Sequence, residues 1–275
     1  MTRPSITLSG LCIYPIKSAA GLALTGADLS DRGLALDRRW MLVDHFRRTL
    51  GQRQCPALRL VTVSPRPDGG LRVRAPQMSS PLDLPPVADG APLEATMWGQ
   101  HIAVRLVSAE ASAWFSEALG LPCDLVQQPQ DARRLRKDQP DGVLLALSDG
   151  NPLHLVNEAS IDDLNARLVR PIDFWRFRPN LIVRGAPPYA EDHWRRLRIA
   201  GVDFDVIEST ARCVVVNVDE RGQGAGTVLR TLASYRRWGR YIPFGQHLNH
   251  RQLGTLHVGD AVEVLEVAEE PNPSG

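Results

Sequence analysis

Short runs of alternating apolar and polar residues, cut at close intervals by proline and glycine, restrict this chain to a β-rich fold. Gly70-Leu71-Arg72-Val73-Arg74-Ala75 alternates with a period of two, and residues 101–107 do the same, as half-exposed strands do. Residues 6–16, 40–44 and 58–63 read as further strands. The stretch 76–92 carries too many prolines for regular structure. In the second half, strands are expected at 152–156, 180–183, 197–199, 202–207, 213–218 and 261–265. Two segments change to helical spacing. Ala111, Trp114, Phe115, Ala118 and Leu119 follow Ser108 as a candidate N-cap and stop at Gly120, while Ile161, Leu164 and Leu168 follow Asn157. Many short strands with few helices predict a closed or nearly closed β-barrel, which removes unpaired edges.

A polar, basic stretch from Pro129 to Gly142, with Arg133, Arg134, Arg136 and Lys137, reads as a linker. Two domains are therefore expected, at 1–125 and 143–270, joined by a linker at 126–142. A chain of 275 residues has room for a core that needs no disulfide staples. Its four cysteines, Cys12, Cys55, Cys123 and Cys213, include no C-x-x-C pair, which argues against zinc ribbons and clustered-cysteine iron–sulfur sites. A reducing compartment follows. A net charge of +1 gives no field for a nucleic-acid partner. No run has the length and apolarity of a membrane span, and the first residues lack the apolar stretch of a secretory signal, so a cytoplasmic setting is expected.

The chemistry-bearing residues are scattered. Cys213 sits in a run that reads as a strand, directly after Arg212, and a cationic neighbour favours the thiolate that binds soft metals. The alternative is a buried free cysteine. Lys17 and Ser18 lie where the first strand gives way to a loop and offer an anion one point charge and one adaptable donor. Alternation places Arg38 and Trp40 on one face and Arg39 on the other. An inward Arg38 then needs Asp37, Asp44 or a bound phosphate. Arg178 precedes Pro179, which biases it to extended backbone, and with Asn180 it suits a planar polar heterocycle or its phosphate. Its structural alternative is an ion pair with Asp173 or Asp192. His247 and His250 share a face only on a helix, and H-E-x-x-H is absent. Gly222, Gly224 and Gly226 lack the context of a phosphate-binding fingerprint and read as a hairpin tip. No G-x-S-x-G elbow is present.

Taken together, these segments resemble the two-part MOSC family (molybdenum cofactor sulfurase C-terminal domain). The first part carries Tyr14-Pro15-Ile16-Lys17-Ser18 and Asp37-Arg38-Arg39-Trp40-Met41-Leu42-Val43-Asp44. The second carries Ser148-Asp149-Gly150, Leu155-Val156-Asn157-Glu158-Ala159-Ser160, Phe177-Arg178-Pro179-Asn180, Glu191-Asp192-His193-Trp194, Arg212-Cys213, Phe244-Gly245-Gln246 and 254–260. The resemblance implies a mainly β fold with some α: an N-terminal β-barrel-like domain, then a MOSC β-barrel with peripheral helices. It is similar to the branch that holds the mitochondrial amidoxime-reducing component and bacterial reductases of N-hydroxylated bases.

The resemblance further implies molybdenum cofactor (Mo-molybdopterin), with Cys213 as the protein ligand to the metal. Lys17, Ser18, Arg38 and Arg178 would hold the pterin and its phosphate, with Asn157, Ser160 and Asn180 as further contacts and Arg212 supporting the thiolate. The implied activity is reduction of an N–OH or N-oxide bond in a small N-hydroxylated substrate. Asp219 and His247 are candidate proton donors. The alternative is a cofactor carrier or sulfur-transfer protein. Two departures stand out. There is no C-x4-C-x2-C spacing of a ferredoxin domain, so a separate electron-transfer protein is expected. Val215, Val216 and Asn217 stand where the family commonly has threonines. No lysine motif supports pyridoxal phosphate.

Overall fold

The computed structural model describes residues 5–136, 142–219, 221–223 and 226–273. Of the segments named above, Lys137 and the turn residues Gly224 and Ala225 lie outside these. The fold is mainly β, with three α-helices among the described residues, at Ala109–Leu119, Glu158–Asn165 and Val228–Tyr235. None is long and apolar enough to cross a membrane.

The larger sheet has eight strands in the spatial order Val262–Val267, Trp194–Ile199, Val202–Ala211, Pro243–His250, Leu153–Asn157, Leu181–Arg184, Thr7–Ile13 and Leu22–Leu24. Most neighbours are antiparallel; Leu153–Asn157 and Leu181–Arg184 run parallel. The sheet curls until its ends meet. Thr7 bridges Ala261, the Leu8 amide donates to the Asp260 carbonyl at 2.8 Å, and the Val262 amide donates to the Ile6 carbonyl at 2.9 Å. Closure removes the edges that the pattern of short strands would otherwise leave open. The core inside is aliphatic, built on Leu8, Leu11, Leu155, Leu181, Val183, Leu197, Phe204 and Leu248.

The strands do not sort by halves of the chain. Thr7–Ile13 pairs with Leu181–Arg184, in a register that sets Leu8 against Val183 and Leu11 against Leu181. Thr255–His257 in turn pairs with Gly26–Ser30. The rest of the first half forms a five-stranded sheet (Pro92–Met97, Gln100–Leu106, Asp124–Gln127, Trp40–Val43, Thr49–Leu50) and a three-stranded meander (Thr62–Pro65, Leu71–Arg74, Leu82–Leu84). The Ala109–Leu119 helix packs on both. Its Ser108 hydroxyl accepts from the Ala111 amide, and Gly120 ends it at φ 66°.

Several local expectations need correction. Residues 56–60 form a 3-10 turn rather than the start of a strand, because Pro56 sets the first helical φ. The proline-rich stretch contains the strand Leu82–Leu84, whose apolar residues face the core. The strand reaching Cys213 stops at Ala211, and Val214–Asn217 is a 3-10 turn. His247 and His250 lie on the Pro243–His250 strand, where a spacing of three turns them to opposite faces. Within the segment read as linker, Arg134 is buried and donates to the carbonyls of Ala146 and Ser148 at 2.6 and 2.7 Å.

Candidate functional site

A cavity of about 290 Å³ opens between the two halves, and Cys213 lines it. The sulfur is placed by strand termination. The Arg212 amide donates to the Ile242 carbonyl at 2.8 Å, which ends the pairing. The Val216 amide then donates to the Cys213 carbonyl at 3.2 Å, folding the valine run into a turn with Val216 buried beneath. Of the four cysteines, Cys12, Cys55 and Cys123 are buried, and burial pushes the Cys12 thiol up to about 12. Cys213 alone is partly exposed.

Five cationic side chains surround it: Lys17, Arg38, Arg53, Arg178 and Arg212. Three come from the first half and two from the second. Lys17 donates to the Leu147 carbonyl at 2.9 Å and to Asp149 Oδ1 at 2.5 Å. Burial lowers its pKa, and Asp149 opposes that shift. Burial would raise Asp149, but the Lys17 charge and hydrogen bond, together with the Trp98 indole, hold it well below the usual carboxylate range. Arg38 pairs with Asp37 and donates to Asn180 Oδ1 and to the Arg178 carbonyl, each at 3.2 Å. Its guanidinium lies 4.8 Å from the Tyr14 ring centroid, and that of Arg178 lies 4.1 Å from the same ring.

Arg178 is not extended. It has φ 56° and follows a 3-10 turn at Phe174–Arg176, taking the left-handed geometry that ends such turns. Neither proposed aspartate partner reaches it; Arg178 donates instead to the Ala19 carbonyl at 2.6 Å. Asp173 caps its own turn and Asp192 pairs with Arg236. Burial brings both Arg178 and Arg212 down to about 10, a sign that their charge lacks full compensation. An anion in the cavity removes that deficit.

Arg53 escaped the sequence reading. It sits on the loop after the Thr49–Leu50 strand and lines the cavity with Cys213, whose sulfur raises the arginine's own pKa. Only its occurrence in a polar Gly51-Gln52-Arg53-Gln54 turn hinted at a role. His154 was missed as well. It is buried, held well below the usual imidazole range by burial and by Arg212, and its Nε2 has no hydrogen-bond partner in the protein. The His154 and His247 rings are 5.9 Å apart. His247 Nδ1 is 3.2 Å from Glu208 Oε1, and Glu208 also binds Arg136 and Asn151. Burial would raise Glu208, but His247 and Arg136 bring it down to about 2.

Of the expected site residues, the structure brings together Lys17, Ser18, Arg38, Arg178, Asn180, Arg212 and Cys213, with His247 beside them. Asn157 and Ser160 require correction, because they do not line the cavity. Asn157 caps the Glu158–Asn165 helix and donates to Glu191 at 3.1 Å; Ser160 donates to Glu191 at 2.7 Å. Asp219 is also turned away, accepting from the amides of Arg221 and Gln223 in its own turn.

Several polar atoms of lining residues are left without partners: Ser148 Oγ, His154 Nε2, Arg178 Nη2, Thr210 Oγ1 and Arg212 Nε. Buried polar atoms are rarely left so, and these five belong to residues that line this cavity. Among the described residues, no three His, Cys, Asp or Glu side chains gather as a metal-ligand set. A polyanionic, acceptor-rich ligand fits this cavity better than an apolar one.

Comparison with known proteins agrees with this geometry. Residues 5–122 match the MOSC N-terminal beta barrel domain and residues 144–263 the MOSC domain. The chain is 34% identical to molybdenum cofactor sulfurase of Oryza sativa subsp. japonica, over 90% of this chain and 33% of that protein, so it spans about a third of that relative. It is 31% identical to mitochondrial amidoxime-reducing component 1 of Mus musculus, over 94% of this chain and 82% of the relative. The Homo sapiens protein of that name is 30% identical, over 94% and 83%. The two matched domains, and relatives that align along nearly its whole length, make this chain a member of the two-domain MOSC family.

Proposed function

We propose that this protein is an oxidoreductase that binds the molybdenum cofactor and reduces N-hydroxylated or N-oxide compounds, taking electrons from a separate protein. The observation that carries the reading is a partly exposed Cys213 facing a cavity with five cationic side chains. The amidoxime-reducing relatives, which this chain matches over most of their length, support it.

The residues present suit the cofactor. Lys17, Arg38, Arg178 and Arg212 would hold its phosphate and pterin, with Ser18 and Asn180 as neutral polar contacts. Cys213 would ligate the metal as a soft donor. When bound, the cofactor would supply two-electron oxygen-atom-transfer chemistry. Arg53 and Arg212 set positive charge beside the sulfur that a metal-bound thiolate requires. His247 is the candidate proton source, with Glu208 orienting the ring through Nδ1. Val215 and Val216 give the cavity an apolar wall beside Cys213.

The sulfurase relative favours a second reading, in which the same cavity carries the cofactor or passes sulfur to it without reductase turnover. Protein from a molybdate-replete host, assayed with reduced viologen and benzamidoxime, separates the two. Turnover is expected in the parent chain. Cys213→Ala is expected to drop turnover and molybdenum content to background, with pterin retained by the cationic residues. Activity unchanged in Cys213→Ala would exclude the mechanism. Release of intact cofactor to an apo-enzyme without N–O reduction would favour the carrier.

A further inference from the structure

A second cavity, of about 350 Å³, lies behind the first, and Arg39 and Trp40 line it. The segment 38–40 separates the two. Arg38 lines the first cavity and Arg39 the second. Trp40 departs from the expectation that it shares the Arg38 face, because Arg38 has φ 49° and breaks the alternation. The segment is stitched to both sides. The Lys17 amide donates to the Trp40 carbonyl at 2.7 Å, and the Gln128 amide donates to the Arg39 carbonyl at 3.0 Å.

Three features point to a ligand. Trp40 and Gln128 are each only 1% exposed, yet the indole Nε1 of one and the amide Oε1 of the other have no hydrogen-bond partner. The amide orientation of Gln128 is fixed, since its Nε2 donates to the Leu145 carbonyl at 3.1 Å. The Trp40 donor is thus left for an acceptor on a ligand, and the Gln128 acceptor for a water or a ligand hydroxyl. Arg39 donates through Nη2 to the carbonyls of Gln128 and Pro129, at 3.0 and 3.4 Å, and has no carboxylate within ion-pair distance among the described residues. Burial first, then repulsion from Arg32, lower its pKa. Arg105 adds a second guanidinium, and Leu36, Pro86 and Val87 supply an apolar wall, with Val87 59% exposed.

We propose that this cavity is a binding site for a small organic monocarboxylate with a flat apolar body. With Arg39 Nη2 held on two carbonyls, its Nε and Nη1 N–H groups remain for a carboxylate, and the Trp40 N–H adds a donor. Charge decides between a monoanion and a dianion. Arg39, Arg105 and Asp131 line the cavity and Arg32 is paired with Asp31, so the lining carries one net positive charge. A carboxylate balances that charge; a dianionic phosphate overshoots it. The apolar wall contacts the body of the ligand, and the 38–40 segment links an occupant to Arg38 and Lys17 in the first cavity.

The test uses the full chain and needs neither cofactor nor turnover. The protein has six tryptophans, and the indole N–H resonance that disappears in Trp40→Phe identifies Trp40. Benzoate titrated through the millimolar range is expected to shift that resonance saturably. Arg39→Gln is expected to weaken the effect about tenfold, the loss of one charge-assisted hydrogen-bonded pair. Arg178→Gln, in the other cavity, is expected to leave it unchanged. Should Arg39→Gln lose its dispersed amide spectrum, Arg105→Gln reads the same charge at the rim. A Trp40 resonance that stays still, dependence on Arg178 instead of Arg39, or equal displacement by inorganic phosphate overturns the proposal.

Discussion

Among the described residues, four of the eight non-glycine residues with left-handed φ line the first cavity: Ser18, Arg38, Trp98 and Arg178, at 69°, 49°, 53° and 56°. Each such residue costs on the order of 1–3 kcal/mol. Three of them aim cations or a hydroxyl at one volume, and the surroundings hold them there. Gln52 Nε2 donates to the Ser18 carbonyl at 2.7 Å, and Tyr14 lies beneath both arginines. Strain therefore concentrates where orientation matters to a ligand. Glu191 gives a different residue-scale case. It is fully buried, and burial pushes its carboxyl up to about 7, with the Ser160 and Asn157 bonds opposing. Its folded pKa lies above the unfolded value of about 4.5, so between these the folded chain holds a proton that the unfolded chain has released. Its contribution is therefore full below about pH 4.5 and falls as pH rises towards 7. Glu191→Gln is expected to remove that loss, gaining on the order of 2–3 kcal/mol over the parent at pH 8 and little at pH 4.5. Buried His154 and His247 titrate with the opposite slope, so the difference between urea midpoints of the two proteins is the quantity to measure.

At the scale of elements, Gly245 shows how tightly the strand behind the cavity is packed. A Cβ there would stand 2.5 Å from His154 Nε2 and 2.6 Å from the Leu155 carbonyl, at φ 76°. Gly245→Ala is expected to destabilise the fold by about 3 kcal/mol or more and to shift the cavity-facing His154, read by urea unfolding and by the imidazole resonances. Elements whose local pattern agreed with their packing were legible in the sequence. The Ser108 cap, the Gly120 stop, the Asn157 cap and the 202–207 strand all appear where periodicity put them. Cys213 was expected within a strand, and the structure places it just past the end of one, at the cavity. The β-branched run 214–216 favours a strand, but the Val216 and Val218 amides close turn bonds instead. Arg53 and His154 were illegible because their roles come from long-range pairing. Asn157 and Ser160 lie close in sequence to cavity residues, but the Glu158–Asn165 helix turns them towards Glu191.

At the scale of the molecule, the first strand belongs to the sheet of the second half, and the cavity draws its charge from both halves. Residues 144–273 expressed alone lack the Thr7–Ile13 partner, so the Leu181–Arg184 edge and the Leu8 and Leu11 positions stay open. That fragment is expected to show poor amide dispersion and to aggregate, and co-expression with residues 1–143 to restore a dispersed spectrum. A fragment that folds alone with a cooperative melt would contradict this. The same pairing imposes a schedule on biosynthesis. About 175 residues separate Leu8 from Val183, so at roughly 5–20 residues per second the first strand is made about 9 to 35 seconds before its partner exists. Throughout that interval a nascent hydrophobic segment waits without a mate, open to capture by a chaperone or to pairing with the wrong edge.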